Sequence, residues 1–161
     1  MASLMGVQGK PADAEPLFRE ALNIESNVYG PNHPSLARSL DNLGHALGDE
    51  GKLAEAEQAY RQSVALRRRI LPPDHPDLAY SLNNLGAFLN QEKKFSEAEP
   101  ILQEALDIRR KRLDVGHPFI AVTLNNLAAT ARGQGRLAKA EALEQEALAI
   151  RHNLETKKEE K

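Results

Sequence analysis

The chain contains no cysteine and no tryptophan. The first absence excludes disulfides, thiolate metal sites and a cysteine nucleophile. Aromatic residues make up only 4% of the sequence, too few to interleave as base-stacking residues on a nucleic-acid surface. Neither sign of charge prevails: 21 Lys+Arg stand against 23 Asp+Glu, a formal net charge of −2. That balance argues for neither nucleic acid nor a membrane as partner. No apolar run approaches the roughly 20 residues that cross a bilayer. The opening stretch MASLMGVQGK lacks the basic-then-apolar pattern of a signal peptide, so a cytoplasmic setting is the expectation. The phosphate-loop pattern G-x-x-x-x-G-K-[ST] and the G-x-S-x-G elbow are also missing. Gly9-Lys10 and Gly51-Lys52 read instead as turns between helices.

What the chain does have is repetition. L-x-N-L-[GA] occurs at Leu40–Gly44, Leu82–Gly86 and Leu124–Ala128, a fixed interval of 42 residues. His-Pro keeps the same interval at His33-Pro34, His75-Pro76 and His117-Pro118, as does Ala-Glu at Ala56-Glu57, Ala98-Glu99 and Ala140-Glu141. A unit repeated in one chain forms a stack, whose function is expected to be a surface that holds a partner. The hydrophobic fraction of 41% allows a core over the 161 residues, and Ala, Leu, Glu and Arg dominate, which favours an all-α fold.

Each unit reads as two helices. Leu36, Leu40, Leu43 and Leu47 are spaced by three or four, an apolar stripe on a helix A. Gly51-Lys52 stops it. A helix B follows through Leu53, Ala56, Ala59-Tyr60, Val64 and Leu66 and ends in Arg67, Arg68 and Arg69, the charge that a helix C-terminus favours. Asp74 or His75 caps the next helix A, with Pro76 in its first turn. Small residues, Gly44/Gly86/Ala128 in helix A and Ala56/Ala98/Ala140 in helix B, mark where paired helices approach closely. Lys93 breaks the pattern, because its counterparts in the A-to-B turn are Gly9, Gly51 and Gly135. Either Lys93 is strained there or its turn has another shape.

The string L-x-N-L-G…G-K-x-x-E-A-E…A-L-x-I-R…H-P resembles the tetratricopeptide repeat, in a 42-residue form similar to the kinesin light chain type. The resemblance implies a right-handed solenoid of helical hairpins. Residues 1–34 are expected to supply a helix-A stub (1–8) and a helix B (12–28), residues 35–76, 77–118 and 119–151 one repeat each, and 152–161 a polar tail. That makes about seven helices and a stub. The chain then begins in mid-repeat, as a fragment of a longer array or a small array that pairs through its ends.

The repeated carboxylate pairs Glu55/Glu57 and Glu97/Glu99 sit at helix starts, where acids are favoured, and no cleft sets them apart as catalytic. A metal ion needs ligands about 2 Å away, and three histidines one repeat apart cannot share one. The chain is expected to be no enzyme and to need no cofactor. The basic helix-B ends, Arg67–Arg69 and Arg109–Arg112, either complement the helix dipole or form an electropositive rim for an acidic ligand.

The asparagines are the sharpest clue. Arg38, Asp41-Asn42, His45 and Asp49 share the flank of helix A away from the leucines, and Tyr80, Asn83-Asn84, Ala87 and Gln91 repeat it. Val122, Asn125-Asn126, Ala129 and Gly133, with Arg132 adjoining, form the third set. The resemblance implies that helix A lines the concave groove, so Asn42, Asn84 and Asn126 would form a ladder along it. An asparagine carries a donor and an acceptor on a short arm, which suits an extended peptide backbone equally as it suits a neighbouring helix. Candidate peptide-binding residues are therefore Arg38, Asn42, His45, Tyr80, Asn83, Asn84, Asn125, Asn126 and Arg132. Asp41 and Val122 stand where a carboxylate clamp needs cations, which argues against that subtype. The expected function is a scaffold that binds a protein or peptide partner. The competing reading is a self-assembly module, a homodimer through its array ends.

Overall fold

The computed structural model describes the backbone of residues 11–159 and the side chains of residues 14–152. The described residues form seven helices and no strand: α1 Pro11–Tyr29, α2 Pro34–Asp49, α3 Leu53–Ile70, α4 Pro76–Gln91, α5 Phe95–Arg112, α6 Pro118–Gly133 and α7 Leu137–Glu159. The stub expected over residues 1–8 lies outside the described residues. The segment expected as a polar tail continues α7 as far as Glu159.

Each helix A begins the same way. His33, His75 and His117 are N-caps whose Nδ1 accepts from the backbone N–H of Ser35, Asp77 and Phe119, at 3.3, 3.1 and 3.2 Å, and a proline follows each. Proline has no N–H to leave unsatisfied there, and its fixed φ suits the first turn. Each helix A also ends the same way. Lys52, Lys94 and Arg136 donate back to the carbonyls of Leu47, Leu89 and Ala131 at 2.9, 2.8 and 2.8 Å. Gly51, Lys93 and Gly135 donate to Gly48, Asn90 and Arg132, each at 3.0 Å. This is the paired bonding of a Schellman turn, which requires a left-handed residue. Gly51 and Gly135 adopt it at φ 76 and 75, and Lys93 adopts it at φ 58, the one non-glycine with positive φ among the described residues. The turn keeps its shape and Lys93 carries the strain, about 1–2 kcal/mol. Lys93→Gly is therefore expected to raise the urea midpoint or hold it level, despite glycine's entropic penalty of about 0.5–1 kcal/mol. Gly51→Lys should lower it.

The chain divides into two compact units, Met1–Pro73 and Asp74–Lys161. In the first, α2 packs on α3 and on α1. Leu36, Ala37 and Leu66 form a buried cluster there, with Leu22, Leu40 and Ile70 against it. In the second, α4 pairs with α5, α6 with α7, α6 also packs on α5, and α4 lies beside α6. Leu78, Leu82, Leu89, Leu102, Leu106, Ile120 and Leu124 are fully buried in that unit. The small residues lie where close approach demands them. A Cβ on Gly44 would come within 2.9 Å of the Tyr60 ring, and one on Gly86 would overlap Leu102 Cγ. Ala56, Ala98 and Ala140 are each buried completely.

Two Ala-Glu glutamates, those of Ala14-Glu15 and Ala98-Glu99, tie one repeat to the next within each unit. Glu15 pairs with Lys52, and Glu99 pairs with Arg136 at 2.6 Å and Lys139 at 2.8 Å. Lys52, and then Arg19, holds the Glu15 carboxyl down at about 2, and Arg136, and then Lys139, does the same for Glu99. A carboxyl whose folded value lies below its ordinary 4.5 stabilises the fold above that value. The contribution disappears as the pH falls from about 4.5 towards 2. Thermal melts across that window should show the midpoint dropping, and dropping less in Glu99→Gln. At neutral pH that substitution should cost less than about 1 kcal/mol, since its partners are exposed.

Candidate functional site

The face of helix A is built on a polar layer that links it to helix B. In the first unit Arg67 Nη1 donates to Asp41 Oδ2 at 2.6 Å, and both residues are buried. Ser63 beside them donates to the Ala37 carbonyl at 2.9 Å. In the second unit the same two positions hold Arg109 and Asn83, so the arginine has lost its carboxylate. Arg109 Nη1 donates instead to the Phe119 carbonyl at 2.6 Å, to Thr123 Oγ1, and more distantly to Asn83 Oδ1 at 3.4 Å. Its guanidinium also lies 5.3 Å from the Phe119 ring centroid. Burial pushes Arg109 down to about 10, with nearby Tyr80 opposing the shift, so it stays charged at neutral pH.

Of the basic residues at the helix-B ends, two are interior and four others have partners. Arg67 and Arg109 are interior. Arg69 donates to the Pro31 carbonyl, Arg110 pairs with Glu146, and Lys111 and Arg112 both pair with Asp74. Arg112 and Lys111 hold the Asp74 carboxyl well below the usual carboxylate range. The signal for the buried arginines was present in the sequence. Asp41/Arg67 and Asn83/Arg109 are two polar pairs with the same 26-residue separation, a pattern that a scan for motifs within one helix misses.

The candidate residues fall into three groups. On α2, Arg38 and His45 are exposed and Asn42 is half-buried, with the His45 ring edge-on to Tyr60 at 5.4 Å. On α4, Tyr80 is 42% exposed, Asn83 is buried and Asn84 is half-buried. On α6, Asn125 and Asn126 are half-buried, and exposed Arg132 forms a two-pronged pair with Glu144 at 2.9 and 3.0 Å.

In the second unit α4 and α6 bring two of these groups together. Asn126 Nδ2 donates to Asn83 Oδ1 at 3.1 Å, while Asn90 Nδ2 donates to the Asn126 carbonyl at 2.8 Å. Thr130 Oγ1 closes the network onto Asn90 Oδ1 at 2.8 Å. These amides fasten helix to helix. Asn84 is different: its Nδ2 is buried and has no hydrogen-bond partner. Apolar side chains stand exposed on the same two helices, with Val122 at 44% and Phe119 at 51%. Sequence reasoning missed Phe119, because it occupies the helix start rather than the asparagine flank. No helix among the described residues is long and apolar enough to cross a membrane, and no group of three or more His, Cys, Asp or Glu among them is arranged to hold a metal.

The tetratricopeptide repeat model matches residues 1–69 and 77–152. Among solved structures the fold is similar to BtubC (BKLC) from P. vanneervenii, with a TM-score of 0.86 and 24% identity over 96% of this chain and 61% of that one. It is similar to a putative kinesin light chain of Podosopora anserina with nearly identical TPR-like repeats, with a TM-score of 0.83 and 24% identity over 94% and 72% of the two chains. MamA from Desulfovibrio magneticus RS-1 is similar at a TM-score of 0.67 and 22% identity over 92% and 71%. The chain thus spans about three fifths of the BtubC chain. At such identities the likeness concerns the fold. No curated protein matches the sequence.

Proposed function

Because the chain belongs to the tetratricopeptide repeat family, whose fold generally mediates protein–protein interaction, we propose that it is a non-catalytic, cytoplasmic scaffold that holds an extended peptide segment of a protein partner on a helix-A face within one unit. On α2 the contacts are Arg38, Asn42 and His45. On α4 they are Tyr80 and Asn84, and on α6 they are Asn125 and Arg132; Asn83 and Asn126 support this face from beneath through their mutual bond. Phe119 and Val122 add apolar surface. The observation that carries this reading is the Asn84 amide. An unsatisfied buried donor is costly, by about 1–3 kcal/mol, and rotation of the half-buried Asn84 side chain brings that donor out to a peptide carbonyl. Tyr80, one turn before it on α4, and the exposed Phe119 and Val122 on α6 supply apolar contact.

A peptide array probed with the purified chain provides the test. The expected result is a set of bound peptides sharing an apolar residue. Binding to these peptides should weaken by about 0.5–1.5 kcal/mol in Asn84→Ala, with the helical circular-dichroism spectrum unchanged. An array with no bound peptide, or hits that bind Asn84→Ala and Tyr80→Ala as tightly as the parent, would sink the reading.

A further inference from the structure

A cleft of about 280 Å³ opens in the first unit between α1, α2 and α3. It lies among three helices rather than on the free face of one. Leu36, Leu40 and Leu66 give it an apolar floor, and Ser26, Gln62 and Arg69 a polar rim. Leu40 is only half-buried. In the second unit the 42-residue interval puts Ile120, Leu124 and Ile150 at the floor positions, between α5, α6 and α7. There the floor is covered: Leu124 is fully buried and Ile120 is 2% exposed. The rims differ as well. Arg110 and Glu146 stand at the positions of Ser26 and Gln62, and their pair at 2.6 Å straps α5 to α7. Ser26 and Gln62 form no such strap, and the cleft stays open.

The open rim carries an unbalanced charge. Arg69 donates to the Pro31 carbonyl at 3.1 Å, and no carboxylate pairs with it among the described residues. No acidic side chain lines the cleft. A guanidinium carries several N–H donors, so one bond to a carbonyl leaves others for a ligand. We propose that this cleft binds a small amphipathic carboxylate, its apolar body on the leucines and its carboxylate on Arg69. The volume lies just below the roughly 300 Å³ at which small-molecule pockets begin, which suits a short body. A carboxylate matches the fork of a guanidinium. A cationic ligand would meet Arg69 with nothing to offset it, and a purely apolar one would leave the rim unused. None of these residues is among the proposed peptide contacts.

The test titrates octanoate into the full, isotope-labelled chain and follows its backbone amide resonances. The expected result is a set of saturable shifts centred on Ser26, Ala65 and Arg69. Acetate, which lacks the apolar body, and octylammonium, which reverses the charge, should cause none. Arg69→Gln should weaken octanoate binding by about tenfold or more, the loss of a charge-assisted bond. Ser26→Arg/Gln62→Glu installs the strap of the second unit and should abolish binding while the circular-dichroism spectrum holds. No saturable shift, shifts centred outside the cleft, octylammonium bound as tightly as octanoate, or a folded strap variant that binds like the parent overturns the proposal. If the strap variant does not fold, Arg69→Gln decides alone, and an unchanged affinity overturns it.

Discussion

Asp41→Ala is expected to lower the unfolding free energy by about 3–5 kcal/mol, because it strands the buried Arg67 without its counter-charge. The second unit shows how the loss is contained. There asparagine occupies the equivalent position, and the arginine draws on a carbonyl and a hydroxyl instead. Asp41→Asn should accordingly cost less than Asp41→Ala, since it keeps an acceptor in place. The reciprocal substitution, Asn83→Asp, gives Arg109 a carboxylate and should hold or raise stability. Urea unfolding followed by circular dichroism measures all three. An Asp41→Ala midpoint equal to the parent's would mean that the pair contributes nothing beyond its surroundings.

Gly86→Ala should destabilise by about 1–3 kcal/mol, the range for overpacking a filled core. Alanine ordinarily favours a helix over glycine by about 0.8–1.0 kcal/mol, so the sign of this result is diagnostic. The added methyl overlaps Leu102 near the root of its branched end, and Leu102 is fully buried with nowhere to turn. Leu102→Ala alone removes core and should cost about 2–5 kcal/mol. The double variant Gly86→Ala/Leu102→Ala should cost clearly less than the sum, because the new methyl enters the space that the leucine vacates. Additive costs would mean that the methyl and Leu102 do not compete for the same space, and a Gly86→Ala chain more stable than the parent would mean that the helices separate without penalty. Gly44→Ala should be milder, with the Tyr60 ring at 2.9 Å rather than overlapping.

The repeat made the helices legible. Leucine spacing, His-Pro starts and glycine stops each recur, so an accident in one copy is corrected by the others. Register singled out Lys93 and left two readings, a strained lysine or a turn of another shape, and its φ of 58 selects the first. The layer beneath the helix-A face was harder to read. Asn83 and Asn126 were both candidates on the ligand-facing flank, and their amides bond to each other across α4 and α6. The sequence places both on one flank of their helices, but the crossing of two helices decides how deep that flank lies. Arg67 and Arg109 were hidden for a related reason: a basic last turn is ordinary on a helix surface, and only the 26-residue partnership shows them to be interior.

The histidine caps fix something beyond where each helix A begins. To accept a backbone N–H, Nδ1 of His33, His75 and His117 must present its lone pair. In the neutral ring the proton then resides on Nε2. All three imidazoles are thus committed to one tautomer, with the donor nitrogen turned away from the cap. Their hydrogen-bonding preference is uniform along the chain: each ring offers a donor, never an acceptor, to whatever meets its free edge.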